Sequence, residues 1–323
     1  MESHSVSLKH KPSAALRVST YLPGGAQGPL SNALVVFLNG LGLPRAAWSD
    51  AVGRLLELRK VAGQPTPALF CYDRYGQGES EPDPTDPPGT PYGHDARAVI
   101  ADLHELLTHV ADNELRTPLA ETRLVFVCNS IGCALARLYA AEHPGLVEAF
   151  LFLDPMVANS DFVSLIPDPD APGFDSSRLP AHVSVDDLRY ARAMVAKTFL
   201  PTVPNGERFD RRRLADLLPD ADKPILPDGP GGKTPRLVVA GHDWDEFAEQ
   251  CKTGPMALPI AVVNAYVNPA WGEYNEGLTR LVQHESRPGG QLKIAKGCGH
   301  FIQKDDPQFV AIEIDGLLKE LAR

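Results

Sequence analysis

Ser130 stands where an apolar run of this chain stops. Leu124-Val-Phe-Val-Cys128-Asn-Ser130-Ile-Gly132 leads into a second, mostly apolar segment, Cys133-Ala-Leu-Ala-Arg137. A buried strand, a sharp turn with the pattern small-x-Ser-x-small, and a following helix form an elbow that presents a nucleophile. The turn lifts the hydroxyl clear of the backbone. Strand and helix pass so close there that the residues two before and two after must be small, and Cys128 and Gly132 meet that condition. With Cys128 as the nucleophile, Phe126 would occupy a small-residue position, which argues against that register.

A serine hydroxyl is a weak nucleophile near neutral pH. It needs a base for its proton and a carboxylate to orient that base. His300 has the placement of a base: it follows the expected strand Gln291–Ala295, sits in a Gly-x-Gly-His turn and precedes the last helical pattern. His94, His104 and His109 read as helix or loop surface and His143 as a helix end. Three carboxylates compete for the third role. Asp154 directly ends the run Ala149–Leu153, whereas Asp243 and Asp245 follow Arg236–Ala240. Asp243-Trp-Asp-Glu-Phe-Ala-Glu also reads as the acidic first turn of a helix, where capping accounts for carboxylates. An oxyanion that forms at the serine needs backbone N–H donors. Ile131 supplies one just after the nucleophile, and Leu41 another, between Gly40 and Gly42 at the end of an apolar run. No role here requires a metal or a cofactor.

These residues must be carried by strand ends. Val6–Leu8 and Leu16–Leu22 read as a leading hairpin. Ala33–Leu38, Ala68–Tyr72, the elbow run, Ala149–Leu153, Arg236–Ala240 and Gln291–Ala295 read as short strands, most of them apolar throughout, as in strands covered on both faces. Helical patterns fall between them: Ala46 to Leu58, Asp95 to Val110 with apolar residues at 99, 100, 103, 106, 107 and 110, Trp271 to Leu281, and Pro307 to Leu321. This alternation predicts an α/β fold with a mostly parallel sheet and helices on both faces. Asn39–Leu43, Asp73–Ser80, Ser130, Asp154, Gly241–Asp245 and His300 then gather at the carboxyl ends of the strands, where such sheets bind ligands.

Residues 156 to 234 are rich in Pro and Asp and carry no long apolar strand. Ser184-Val-Asp-Asp187 predicts a capped helix to Phe199, and a shorter helix is expected over Asp210–Leu218. The segment reads as a helical cap inserted after the sixth strand, with residues 1–155 and 235–323 as the core. Asn39, Phe162 and Met194 are candidates for a substrate pocket, with Phe174, Tyr190 and Phe199 beside them.

The 323 residues are 43% hydrophobic and carry a formal net charge of −10, spread along the chain. That balance disfavours nucleic acid and anionic membranes, which select basic patches. No run approaches the ~18 apolar residues of a membrane span, and the amino terminus lacks an apolar signal core, so a cytoplasmic protein is expected. Cys71, Cys128, Cys133, Cys251 and Cys298 form no C-x-x-C pair and read as reduced, mostly buried thiols. Pro-Gly-Gly-Lys233-Thr is not a phosphate loop: Pro227 occupies its first glycine position and Pro235 follows the threonine. The ten histidines show no metal-ligand spacing.

Together these motifs resemble the α/β-hydrolase superfamily, in its serine hydrolase branch with a cap insertion, over nearly the whole chain. Asp73-Arg-Tyr-Gly-Gln-Gly-Glu-Ser80 is similar to its D-x-x-G-x-G-x-S loop, and Gly299-His300-Phe-Ile-Gln-Lys-Asp-Asp-Pro307 to its histidine turn. The order Ser…Asp…His is that fold's order. Leu151–Asp154, with Trp271, Leu278 and Leu281 before Gly-His-Phe-Ile-Gln, is similar to a subgroup that takes its acid after the sixth strand, which favours Asp154 over Asp243. Asn39-Gly40 stands where the family usually has His-Gly, and Trp244 breaks the usual Gly-x-x-Asp spacing. A serine at the elbow argues against the haloalkane dehalogenase and epoxide hydrolase branches, which carry aspartate there. The resemblance implies cleavage of an ester, thioester or lactone of a small acyl substrate. Acyl transfer, C–C hydrolysis or cyclisation on the same residues is the alternative, and a non-catalytic ligand-binding protein is a third reading.

Overall fold

The alternation of apolar runs and amphipathic segments resolves into one eight-stranded sheet. In the computed structural model, which describes residues 1–24, 28–287 and 291–323, the strands are β1 (Glu2–Leu8), β2 (Lys11–Tyr21), β3 (Ala33–Leu38), β4 (Ala68–Tyr72), β5 (Arg123–Asn129), β6 (Val147–Leu153), β7 (Arg236–His242) and β8 (Lys293–Ala295). Their order is β1-β2-β4-β3-β5-β6-β7-β8. The leading hairpin is antiparallel, and β2 joins β4 antiparallel; every pairing from β4 to β8 is parallel.

The central strands β3 and β4 are apolar throughout, and β5, β6 and β7 are apolar along most of their length, because both faces are covered. Leu34, Val36, Leu124, Phe126, Phe150 and Phe152 point to one side, into a core shared with α2 (Ala96–Val110) and α3 (Ile131–Glu142). Val35, Phe37, Val125, Val127 and Leu151 point to the other, against α1 (Ser49–Val61) and α10 (Pro307–Leu321). The period-2 alternation of each strand thus feeds two cores. On α2 the six expected apolar positions are all buried, and Asp95 caps the helix by accepting from the N–H groups of Arg97 and Ala98.

Between β6 and β7 the chain forms α4 (Val185–Phe199) and the short α5 (Leu214–Leu217). α4 begins where expected, with a reciprocal capping box between Ser184 and Asp187. The helix expected over Asp210–Leu218 shrinks to one turn. Asp210 instead pairs with Asp95, its N–H donating to the His94 carbonyl at 2.8 Å, which keeps the start of that segment extended. After β7 come α6 (Trp244–Thr253), α7 (Ile260–Val262) and α8 (Asn268–Thr279), and after β8 the short α9 (Ile302–Asp305) leads into α10. The expected helix at Ala46 starts instead as a 3-10 turn over Arg45–Trp48 before α1. Among the described residues no helix is long and apolar enough to cross a membrane. All five cysteines are free and buried.

Candidate active site

Ser130 joins β5 to α3 with φ 57° and ψ −124°, a backbone conformation that a residue with a Cβ adopts only under strain. The surroundings enforce it. The Ser130 N–H donates to the Leu153 carbonyl at 3.2 Å, and its own carbonyl accepts from Cys133. Gly132 lets the helix approach: an added Cβ there would collide with the Leu38 carbonyl oxygen and come within 3.1 Å of that of Asn39. Cys128 and Cys133, flanking the turn, are buried, and burial pushes both thiols well up, away from the reactive thiolate form.

Asp154 ends β6, also at positive φ (42°), and is completely buried. Its Oδ2 accepts from His300 Nδ1 at 2.6 Å. That contact occupies one ring nitrogen, and His300 opens with Ser130 onto one cavity of about 310 Å3. Among the described residues Ser130 and His300 make no direct hydrogen bond to each other. Trp271, on α8, fixes the imidazole edge-on at 5.4 Å between ring centres and anchors itself by donating from Nε1 to the Pro155 carbonyl. Asn129 ties the pieces together, with Nδ2 donating to the carbonyls of both Leu153 and His300 at 3.0 Å.

Asp243 does not meet the His300 ring. It caps α6 by accepting from the Asp245 N–H, and its other oxygen accepts from Gly297 N–H in the turn that leads to the histidine. The Gly297 hydrogen bond, with Lys296 nearby, holds its carboxyl below the usual carboxylate value. Asp245 is exposed in the first turn of α6.

The sequence reading passed over His242, at the end of β7, two residues beyond the expected strand. It is buried, and its Nδ1 lies 2.8 Å from Asp154 Oδ1, which also accepts from the His242 backbone N–H. Its Nε2 lies 3.1 Å from Asn268 Oδ1. The Asn268 amide nitrogen donates to the Trp244 carbonyl and to Asn264 Oδ1, so its oxygen is the atom turned to His242. Both nitrogens of His242 therefore face acceptors, and a ring that donates twice is an imidazolium. Asp154 thus sits between two histidines. The groups around His242 are Asp154, the adjacent Asp243, His300 across the shared carboxylate, and the rings of Phe247 and Trp271. Burial alone would lower the His242 pKa, but the charge and hydrogen bond of Asp154 outweigh it and raise the value above 6.5. Burial would likewise raise Asp154, yet His242 and His300 hold it below 3.8.

The two shifts set a pH window. A raised histidine contributes stability that is complete below its unfolded pKa and is lost as pH rises through the folded one; a depressed aspartate contributes stability above its unfolded pKa and loses it in acid. The pair is therefore fully stabilising between about pH 4 and 6.5. Denaturant unfolding should show stability falling from pH 6.5 upward in the wild type, and His242→Gln should flatten that alkaline slope. An unchanged slope would rule out a charged His242.

The loop after β3 is held by buried donors. Arg74 donates to the carbonyls of Asn39 and Gly40 at 2.8 and 2.9 Å, and Gln77 to that of Gly40 at 2.9 Å. With those carbonyls engaged, the Leu41 N–H has no protein acceptor among the described residues. The Ile131 N–H belongs to the first turn of α3, which lacks intrahelical acceptors. Glu207, from the segment between β6 and β7, pairs with Arg74 at 2.9 Å and accepts from Gln77 and the Gly42 N–H. It fastens that segment to the loop.

The pocket expectations need two corrections. Asn39 does not line the cavity: its amide donates to the Tyr72 carbonyl and Gln77 Oε1 and accepts from Trp48 Nε1. Met194 packs against the core instead. Phe162 and Phe199 do line it, with Leu41, Met156, Phe247 and Met256. Its walls thus come both from the segment before β7 and from the stretch after it. Tyr190 bridges the two stretches by donating to the Met256 carbonyl. His94, expected at the surface, is buried against Phe209 at 6.0 Å and lies beside Asp83 and Asp86, a trio close enough to hold a metal ion. Those carboxylates already have cations, Lys11 at 2.6 Å from Asp83 and Arg208 at 3.7 Å from Asp86.

The Alpha/beta hydrolase family profile matches residues 35–313. Solved structures with the same fold include a thermophilic esterase from Thermogutta terrifontis (15% identity, 100% of each chain covered, TM-score 0.54). An epoxide hydrolase from Vigna radiata shares 13% identity over 99% of this chain and 98% of that one, with TM-score 0.52. A putative lipase from Acinetobacter baumannii shares 14% over 99% and 91%, with TM-score 0.55. No curated protein gives a significant match.

Proposed function

The chain belongs to the alpha/beta hydrolase family, and we propose that it is a serine hydrolase that cleaves an ester, thioester or lactone of a small organic substrate through an acyl-enzyme. The observation that carries this reading is the 2.6 Å contact of Asp154 with His300 Nδ1, beside a cavity that both His300 and Ser130 line. Ser130 Oγ attacks the carbonyl carbon while His300 Nε2 takes its proton, and Asp154 stabilises the imidazolium that results. The N–H groups of Leu41 and Ile131 receive the developing oxyanion. His300 then protonates the departing alkoxide or thiolate, and water repeats the sequence on the acyl-enzyme. Residues 156–234 act as a cap, anchored through Glu207. A serine at the elbow sets this chain apart from the aspartate-bearing epoxide hydrolase branch, whose fold it shares.

Incubation with a fluorophosphonate should label the protein once, on the peptide containing Ser130, and abolish turnover of p-nitrophenyl esters. Labelling elsewhere, or none together with no turnover on ester, thioester and lactone panels, would overturn the reading. Assays with added alcohols or thiols separate hydrolysis from acyl transfer by product.

A further inference from the structure

We propose that Arg211 recognises a carboxylate, and that the preferred substrate carries such a group remote from its scissile carbonyl. The inference rests on the serine hydrolase reading and names the substrate class of that same pocket.

The cavity is otherwise walled by apolar side chains, chiefly Met156, Phe162, Phe199, Phe247 and Trp271. Arg211 lines it, only 5% exposed, and is the one residue of the lining with a permanent charge. Among the described residues no carboxylate lies within ion-pair distance of it. Glu207, four residues before it, is already committed to Arg74, Gln77 and the Gly42 N–H. The guanidinium offers five N–H donors in a planar fork. Only Nη2 is used, in long bonds of 3.2 and 3.3 Å to the carbonyls of Leu200 and Val203. Nε is buried without a partner among the described residues.

A buried guanidinium with an unpartnered Nε and no counter-charge carries a desolvation cost. Burial pulls Arg211 below the usual arginine value, with Glu207 only partly opposing. Holding two carbonyls does not require a charge, because a neutral amide would do it. A ligand carboxylate satisfies what the protein leaves open: it supplies the counter-charge, and its two oxygens match two donors of the fork. The surrounding apolar walls strengthen that pairing and accommodate the chain between the carboxylate and the reacting carbonyl.

Mono-p-nitrophenyl glutarate and p-nitrophenyl pentanoate present the same leaving group with and without a terminal carboxylate. Wild-type kcat/KM should favour the glutarate by about 10- to 100-fold, the range of a charge-assisted hydrogen bond. Arg211→Met should bring the ratio to one or below, and Arg211→Lys should fall between. A wild-type ratio at or below one, or a ratio that Arg211→Met leaves unchanged, overturns the proposal. If the methionine variant does not fold, Arg211→Gln, which can still hold the two carbonyls, takes its place with the same expectation. If neither ester is turned over, the serine hydrolase reading fails separately. Calorimetric titration with glutarate then decides: binding by wild type that Arg211→Gln loses supports the carboxylate site, and no binding, or binding the variant retains, removes it.

Discussion

Ser130→Ala is expected to lower kcat on p-nitrophenyl esters by on the order of 10^4- to 10^6-fold, the scale seen when the nucleophile of a serine–histidine pair is removed. The substitution should leave the fold intact. The Ser130 side chain makes no hydrogen bond to the described protein, so no buried partner is orphaned by losing its oxygen. Alanine also keeps the Cβ that already tolerates φ 57° at this position. The melting temperature should therefore hold or rise, since a hydroxyl kept for chemistry contributes little to packing. Full esterase activity in the alanine variant would remove Ser130 from the reaction. Activity lost together with the cooperative unfolding transition would mean that the turn itself had collapsed, and Ser130→Gly would then separate strain from chemistry.

Much of this site was legible because a buried parallel strand leaves a plain trace. Ala33–Leu38 and Ala68–Tyr72 are recovered to the residue, since both faces of each are covered and every position must be apolar. The neighbouring strands β5 and β6 end on the candidate residues Ser130 and Asp154, and His300 follows β8 after a short turn. What escaped depends on contacts made across the fold. His94 reads as loop surface until Phe209 and the Asp83–Asp86 loop close over it. The Asp210 helix was expected from its local pattern, and pairing with Asp95 overrides that pattern. His242 did carry a signal. It follows Val-Val-Ala-Gly at a strand end, as the base was expected to do, but placing the strand's end at Ala240 moved it into a loop. Arg211 and Glu207 gave no trace, because the value of each is fixed by which charges are absent or already taken around it.

Asp154→Asn should lower kcat by about 10^3- to 10^4-fold, the upper figure being that of the equivalent change in a serine protease. The geometry gives the reason. Asp154 offers one oxygen to His300 and the other to the ring and backbone N–H of His242. An asparagine has one acceptor oxygen and one donor nitrogen, so it cannot serve both sides. If its NH2 faces His300, Nδ1 must accept, the ring proton moves to Nε2, and His300 can no longer take the proton from Ser130. If its NH2 faces His242, that ring can give up its second proton and accept, with Nε2–H still held by Asn268. The His242 backbone N–H, however, then points at another donor inside the protein. The first arrangement stops catalysis, and the second keeps a weakened base at a cost in stability. Their competition makes the loss large but incomplete, and His242→Gln added to Asp154→Asn should change it, since the glutamine alters which orientation is preferred. Asp243→Asn provides the contrast. Asparagine caps a helix as well as aspartate does. Its NH2 cannot accept from the Gly297 N–H in the turn before His300, but Asp154 still holds the His300 ring, so kcat should fall by no more than about tenfold, the scale of one hydrogen bond. The reverse pattern, with Asp243→Asn inactive and Asp154→Asn near wild type, would transfer the role of the acid to the strand-end carboxylate after β7.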